Sequence, residues 1–481
     1  MKRTFSLLMA LILAGCAVLN KPLPDKTQML PESFVFNLPS TISAEQSWSE
    51  ALNDPLLNEL IDKAELRNLT LARLIARVEE TEALARVENA SLLPQLNGQT
   101  GVSVERKVGK LPAREPTGEE GQPPAKRSSG TYNVGVKASW EVPLFGRAKG
   151  VKQATEAAIA ISKEDLEAAR LSVHAEIATT YVELRAAQQL LQVVSGIAKA
   201  QDRVVELTAS RRANELASDF DVARAEQSAA QSRTFLPQAQ DQVNQALLRL
   251  SILLGQSAIE PQLKQPGSLP ALDALPVPSI PSTPADLLRL RPDIRRAEYT
   301  VLQETGRLGI AKADVYPSLT LEGALTLTAN LIAKPLAPPG RSSVLTGAPT
   351  LTIPLFDWGR RMAAVDARYA SLNAVIYDYR QTVLNAYGEA ERSLSSYIQG
   401  NVRMEAARLS SQKAKQALRY ANILEEHGLI DLTEQLLTQE RSLSAERERI
   451  ESEQATLIAY ITIHRAFASS VKLDNVIKGV R

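Results

Sequence analysis

Two kinds of period alternate along this chain. Between Pro94 and Pro143 the apolar side chains fall on even positions. Leu96, Val102, Val104, Val108, Tyr132, Val134, Val136, Ala138, Trp140 and Val142 alternate with residues such as Gln95, Asn97, Ser103, Glu105, Lys107, Asn133, Lys137, Ser139 and Glu141. Leu319, Leu321, Leu325 and Leu327 alternate in the same way with Thr320, Glu322, Thr326 and Thr328. A period of two gives a strand one apolar and one polar face. Each run is about ten residues, the length of a tilted strand crossing a bilayer. A half-buried hairpin on a soluble domain has the same alternation, so the period alone leaves both readings open.

The second period is helical. Residues 144–236 and 355–481 contain no proline and are rich in Ala, Gln, Glu, Arg and Leu, all good helix formers except where packing overrides them. Val365, Tyr369, Leu372, Ile376, Tyr379, Val383, Tyr387, Ala390, Leu394 and Tyr397 step mostly by four and three, a seam sustained over several heptads. A helix from about 357 to 427 is roughly 105 Å long at 1.5 Å per residue. Its counterpart is expected from about 146 to 214. Both end in turn-forming segments, Asn214–Asp219 and His427–Asp431, which read as tips of helix hairpins. Gly428 suits a helix C-cap, and Asp219 and Asp431 suit the N-caps of the returning helices. Pro237 predicts a kink or an interruption in the first return helix. Residues 49–90 predict a further helical pair broken near Asn68, with a counterpart at about 284–314.

The chain is written twice. Val142-Pro143-Leu144-Phe145-Gly146-Arg147 returns as Ile353-Pro354-Leu355-Phe356-Asp357-Trp358-Gly359-Arg360, at an offset of about 211. Leu92-Leu93-Pro94-Gln95-Leu96 returns as Val315-Tyr316-Pro317-Ser318-Leu319 at about 223, and Leu216–Asp221 parallels Gly428–Thr433 at about 212. The offset changes between the first two landmarks, so the first copy holds a longer insertion there. Prolines 261, 266, 270, 276, 278, 281, 284 and 292 crowd the joint and predict an irregular linker. The organisation read from these signals is a first repeat at 46–255, with a strand pair over about 95–142 and a hairpin tip at about 214–219. A Pro-rich linker follows at 256–283. A second repeat covers 284–470, with a strand pair over about 317–353 and a tip at about 427–431, and a tail covers 471–481.

Composition narrows the function. The 481 residues carry 55 Lys plus Arg against 54 Asp plus Glu, three His and one Cys. Near-zero net charge gives no footprint for nucleic acid. One cysteine excludes a disulfide framework and any cysteine metal cluster within the chain. His174, His427 and His464 have no paired metal-ligand spacing, no phosphate-binding glycine loop is present, and no catalytic constellation emerges, so no enzyme is expected. The Arg and Glu pairs of 440–455, such as Glu446 with Arg449 and Glu448 with Arg447, read as solvated coiled-coil faces. Met1-Lys2-Arg3 followed by the apolar run Phe5–Ala14 is a signal peptide by charge and length, covering 1–15. Its end, Leu13-Ala14-Gly15-Cys16, resembles the lipobox of bacterial lipoproteins. That resemblance implies that Cys16 carries diacylglycerol and an N-acyl chain and begins a lipidated extension over 16–45. Two or three acyl chains anchor stably where one is marginal, and Ala17 after the cysteine implies sorting to the outer membrane.

Four strands cannot close on themselves, and an open edge in lipid leaves backbone groups unpaired. If these strands span a membrane, the chain must oligomerise. The loop Lys110–Gly130, rich in Pro, Gly and charge, suits the long extracellular loop of such a barrel.

The order lipobox, helices, strand pair, long helix hairpin, linker, and the same again resembles the TolC-like outer membrane factor family, in the lipoprotein branch that serves resistance-nodulation-division pumps. Trp48 with Asn53-Asp54-Pro55-Leu56-Leu57, Leu288-Arg289-Leu290-Arg291-Pro292-Asp293-Ile294 and Pro354–Arg360 resemble its signatures. The resemblance implies a mainly α fold with a small membrane β part. Three chains would supply twelve strands to one outer-membrane barrel and helical hairpins to a periplasmic α-barrel. It implies a passive conduit for drugs or other small molecules, a homotrimer in outer-membrane lipid, a periplasmic adaptor protein and an inner-membrane pump, and no cofactor beyond the covalent lipid. It also implies acidic rings near the tips that constrict the pore and prefer cations. The candidates here are Asp219, Asp221, Asp431 and Glu434, with Asp219 and Asp431 the better caps and Asp221 and Glu434 favoured as pore-facing. Leu437 stands where the family often has a further Asp, so a hydrophobic constriction remains open. Two alternatives stand beside the efflux channel: the outer-membrane channel of type I protein secretion, and a non-channel lipid-anchored coiled-coil scaffold.

Overall fold

The structure is a computed structural model that describes residues 30–36, 48–106, 128–271, 283–286, 290–330 and 341–468. The signal segment, Cys16, most of the expected loop over 110–130 and the tail over 471–481 lie outside these residues. The described elements are α1 (Trp48–Ala51), α2 (Pro55–Arg67), α3 (Leu69–Ala90), β1 (Gln95–Arg106), β2 (Ser128–Val142), α4 (Arg147–Ala213), α5 (Asp219–Leu253) and α6 (Pro261–Lys264), followed by a 3-10 turn at Pro284–Asp286. They continue with α7 (Pro292–Ala313), β3 (Ser318–Asn330), β4 (Arg341–Thr352), α8 (Arg360–Glu426) and α9 (Leu432–Ala466). No helix among the described residues is long and apolar enough to cross a membrane.

The repeat is stricter than the sequence suggests. α4 and α8 are both 67 residues long, α5 and α9 both 35, and α3 and α7 both 22. From β2 to α5 every element start returns 213 residues later; α3 and β1 return 223 residues later. The sequence match at about 211 aligned the two Pro-Leu-Phe triplets, whereas the backbone aligns Phe145-Gly146 with Trp358-Gly359. Both pairs adopt positive φ, as do Glu215 with Gly428 and Gly255 with Ala468. The insertion of the first copy is confined to the connection between its two strands.

The chain divides into two units. One comprises Glu80–Ala160 and Tyr299–Tyr377; the other comprises Lys26–Glu79, Ile161–Glu298 and the chain from Asp378 onward. The first holds the sheet, with strand order β1-β2-β3-β4 and every neighbouring pair antiparallel. Leu96 faces Ala138, Val136 faces Leu325, Trp140 faces Leu321 and Leu325 faces Leu345. These pairings put the large apolar positions of the four strands on one face, apart from Val344, which lies opposite Thr326 on the other. The opposite face carries Asn97, Lys137, Glu322 and Thr350, with Lys137 Nζ 3.6 Å from Glu322 Oε1. The apolar side chains stay exposed: Leu96, Val102, Leu345 and Leu351 have nothing of their own chain over them.

In the same unit α4 and α7 cross at their glycines. A Cβ on Gly150 would lie 2.8 Å from the Gly306 carbonyl, and a Cβ on Gly306 would lie 2.7 Å from the Ala154 amide nitrogen. Only glycine permits backbones this close.

The second unit holds the main hydrophobic core. Trp48, Leu57, Leu60, Ile61 and Leu71 pack with Ile177, Tyr181, Leu184, Leu250, Leu254, Leu263, Leu457 and Tyr460. Asp54 caps α2 by accepting from the Leu56 and Leu57 amides at 3.0 and 3.3 Å, with Pro55 in the first turn. Asn68 makes the break foreseen there. Its side-chain oxygen accepts from Thr70 and Leu71 at 2.9 and 3.1 Å, while its amide donates to the Leu253 carbonyl at 2.7 Å. Pro237 does not interrupt α5. A mid-helix proline removes one donor and crowds the preceding turn. Here the buried side chains Ser232, Ala239, Val243 and Leu247 pin the helix on both sides of it. The expected irregular linker contains the short α6, whose Leu263 is fully buried.

Candidate channel wall and hairpin tips

The two tips are built from one turn. In the first, the Leu216 amide donates to the Arg211 carbonyl at 2.8 Å; in the second, the Leu429 amide donates to the Leu424 carbonyl at 2.8 Å. This is the six-to-one closure that ends a helix when its next residue is left-handed. Gly428 supplies that residue in the second tip and Glu215, at φ 61°, in the first.

The four acids differ in what holds them. Asp219 is not the N-cap it was expected to be. Ser218 is, and Asp219, one residue further, pairs with Arg212 Nε at 2.7 Å. That guanidinium holds the Asp219 carboxyl below the usual carboxylate range. Asp221 completes a capping box. Its carboxylate accepts from the Ser218 amide at 2.9 Å and hydroxyl at 2.7 Å, and these bonds lower its pKa. The spacing Ser-x-x-Asp carried this signal. Asp431 is an N-cap, accepting from the Glu434 amide at 2.9 Å. That bond first, and the Arg211 guanidinium at 3.1 Å as well, hold its carboxyl low. The Glu434 carboxylate is exposed and lies 3.5 Å from Arg441.

Arg211 and Arg212 were not singled out in the sequence, and they organise the site. Arg212 ties the first tip to itself. Arg211 reaches from the first tip to Asp431 and, at 3.4 Å, to Thr433 of the second. Two adjacent cations in the last turn of a helix, where the helix dipole favours them, were the available sign. Above this latch lies a groove of about 780 Å³ between α4, α5 and α9, lined by Val204, Leu216, Phe235, Leu437 and Arg447 among others. Leu216, Phe220 and Leu429 stand exposed at the tips.

One expectation about the helices is reversed. Glu446 and Arg449 do not form a solvated face. They sit in a half-buried network between α8 and α9. Glu446 accepts from Arg449 at 2.8 and 3.0 Å, from Ser411 at 2.7 Å and from Lys415 at 2.7 Å. Glu453, 7% exposed, accepts from Arg408 at 2.9 Å and Arg449 at 2.5 Å. Burial would raise the Glu446 pKa, but Arg449, Lys415 and Ser411 together push it down to about 2. The spacing placed these residues on one face; it did not say that the face turns toward the partner helix. Glu448 and Arg447 do remain at the surface.

Two of the three histidines are packed into the structure. His174 bonds to Glu65 at 3.1 Å beside Arg170. His464 is buried between Trp48 and Tyr460, and burial pushes its pKa down to about 4.

A sheet apolar on one face, with long helix hairpins ending in charged tips, describes the wall and the end of a channel. The "Outer membrane efflux protein" family model matches residues 60–256 and 283–469. The chain is similar to the probable efflux pump outer membrane protein SepC of Pseudomonas putida, at 30% identity over 74% of this chain and 71% of that one. It is similar to nodulation protein T of Rhizobium leguminosarum at 27% identity, covering 94% and 95%. Among solved structures, the outer-membrane channel OprN superposes with a TM-score of 0.77 at 26% identity, covering 93% of this chain and 99% of that one. With its model matched across both repeats, the family is settled: the chain belongs to the outer membrane efflux proteins and is an efflux channel component of the outer membrane.

Proposed function

We propose that three copies assemble into one conduit of a tripartite efflux system, with a periplasmic adaptor and an inner-membrane pump meeting the hairpin tips. The observation that carries this reading is the four-stranded sheet with one apolar face and two unpaired edges. Backbone edges cannot be left open in lipid, four strands are too few for a barrel, and twelve fall within the range of natural ones. The polar face would line the lumen. Conduction is passive, the energy coming from the pump. Relatives named as toluene and pyoverdine exporters support small organic molecules as cargo. The exposed Leu216, Phe220 and Leu429 offer the adaptor an apolar footing.

The latch between the tips is the closed gate in this reading. Arg211→Ala removes the bond to Asp431, so the tips part more easily. In planar bilayers the variant is expected to show several-fold higher conductance or open probability than the parent. An intact oligomer that conducts nothing in either form would sink the channel.

The lipid on Cys16 belongs to the same proposal, supported by the lipobox-like Leu13-Ala14-Gly15-Cys16. The intact mass of the mature chain should correspond to an N-terminus at Cys16 bearing a diacylglyceryl thioether and an N-acyl group. A mature chain starting elsewhere, or with an unmodified Cys16, refutes it.

A further inference from the structure

A cavity of about 400 Å³ lies in the sheet-bearing unit, where the two strand-to-helix corners meet the end of α7. That volume is within the range of small-molecule sites. We propose that it is a resting site for a monovalent organic anion passing through the conduit. The acid group would lie on Arg360 and Arg361, and the apolar part beside Phe145 and Tyr316. The inference rests on the channel reading above and names a class of cargo for it.

The cavity opens on the polar side of the sheet, since Glu141, Ser318 and Thr352 line it. Ser318 pairs with Thr352 and Glu141 with Thr320, on the face that carries Lys137 and Glu322. A solute in the lumen would reach it without entering lipid. Part of the lining is apolar. Phe145 stacks on Tyr316 with ring centres 4.7 Å and planes 18° apart, and Pro354 and Ala364 line the cavity as well.

The repeat explains why its charges do not cancel. Arg147 is taken by Asp314. Arg360 is the same position in the second repeat, and the position equivalent to Asp314 in the first holds Ser91. The repeat therefore carries no second acid to answer Arg360. The Arg360 side chain is exposed and pairs with no carboxylate among the described residues. Arg361 adds a cation where the first repeat has Ala148. Its Nε stands 3.9 Å from Asp357, too far for a hydrogen bond. The Asp357 oxygens instead accept from the Gly359 and Arg361 amides at 3.1 and 3.2 Å. Two guanidiniums thus keep side-chain donors that the chain does not use. Three arginines line the cavity against two acids, Glu141 and Asp314. One net positive charge suits a monoanion, and the unpaired Glu141 disfavours a dianion.

Guanidinium forks match a carboxylate or sulfonate with two parallel bonds. Both arginines are partly open to water, so the attraction is screened by salt. Weak binding is what a conduit needs, because a site on the path must release what it holds.

The test uses the purified full-length protein in a nonionic detergent, with calorimetric titrations read against detergent alone. The probes are naphthoate, naphthamide and naphthylmethylammonium, substituted at the same ring position. Naphthoate should bind about fivefold more tightly than the other two, and salt should erode that preference. Arg360→Gln combined with Arg361→Gln should abolish the preference and leave naphthamide binding unchanged. Ala364→Trp, which fills the cavity and alters no charge, should weaken all three probes. Equal binding of the probes, no binding, or a preference that survives the arginine substitutions overturns the site. If that same protein conducts in a planar bilayer, the conduit stands without it. A protein that binds naphthoate as expected but neither assembles nor conducts keeps the anion site and overturns the conduit.

Discussion

Replacing Gly306 by leucine should destabilise the unit that carries the sheet more than any other single glycine substitution there. The Cβ alone would meet backbone, the Ala154 amide nitrogen and the Gly150 carbonyl, both at 2.7 Å. Backbone cannot swing aside as a flexible side chain can, so α4 and α7 must separate along their crossing. Overpacking of this kind costs about 1–3 kcal/mol, and a full leucine side chain lies at the upper end. Gly388→Ala in α8 is the matched control, since its Cβ would meet no atom of the chain within 4 Å. There the helix gains up to about 1 kcal/mol from the better helix former. Urea denaturation of the detergent-solubilised protein followed by circular dichroism should therefore move in opposite directions for the two variants. Equal tolerance of both would mean that the glycine crossing is not tight.

Arg449→Ala should cost up to about 3 kcal/mol, the low end for breaking a buried ion pair, because it leaves Glu446 with only Ser411 and Lys415 and the nearly buried Glu453 with only Arg408. Arg449→Lys should cost less but not nothing, since a lysine restores the charge and not the two-pronged donor. The network also fixes a pH dependence. The Glu446 pKa is near 2 in the fold against 4.5 for the free side chain, so folding favours its ionised form. That contribution is fully present above about pH 4.5 and is lost as the pH falls toward 2. The parent should lose stability across that acid window, and Glu446→Gln should flatten the profile there. A profile indifferent to Glu446→Gln would remove this carboxylate from the acid response.

The parts of the fold legible in the sequence were those set by local period. Alternation at Tyr132–Val142 and Leu319–Leu327 marked strands, and proline-free seams marked helices whose ends fell within a few residues of Ala213 and Glu426. What joins β2 to β3 was not legible, because that pairing links residues nearly two hundred positions apart and no local pattern encodes it. Of the kink or interruption expected at Pro237, the interruption does not occur, because propensity ignores the packing that holds a helix on both sides of a proline. Asp219 misled because Ser218, one residue earlier, was an equally good cap and only the backbone decides between them. The tip acids were visible as acids. Their partners were not, since Arg211 finds Asp431 across 220 residues of sequence.

The equality of the hairpins constrains how such a chain drifts over generations. Both outgoing helices are 67 residues long and both return helices 35. Losing one residue from one of them would shorten it by about 1.5 Å and turn everything beyond by about 100°. The Arg211 latch would miss Asp431, and the seam side chains would face the wrong way. A length change should therefore be tolerated only in matched pairs or in the strand connections, where the two copies already differ. The helices act as a ruler, and the fold constrains their residue count at every position along them.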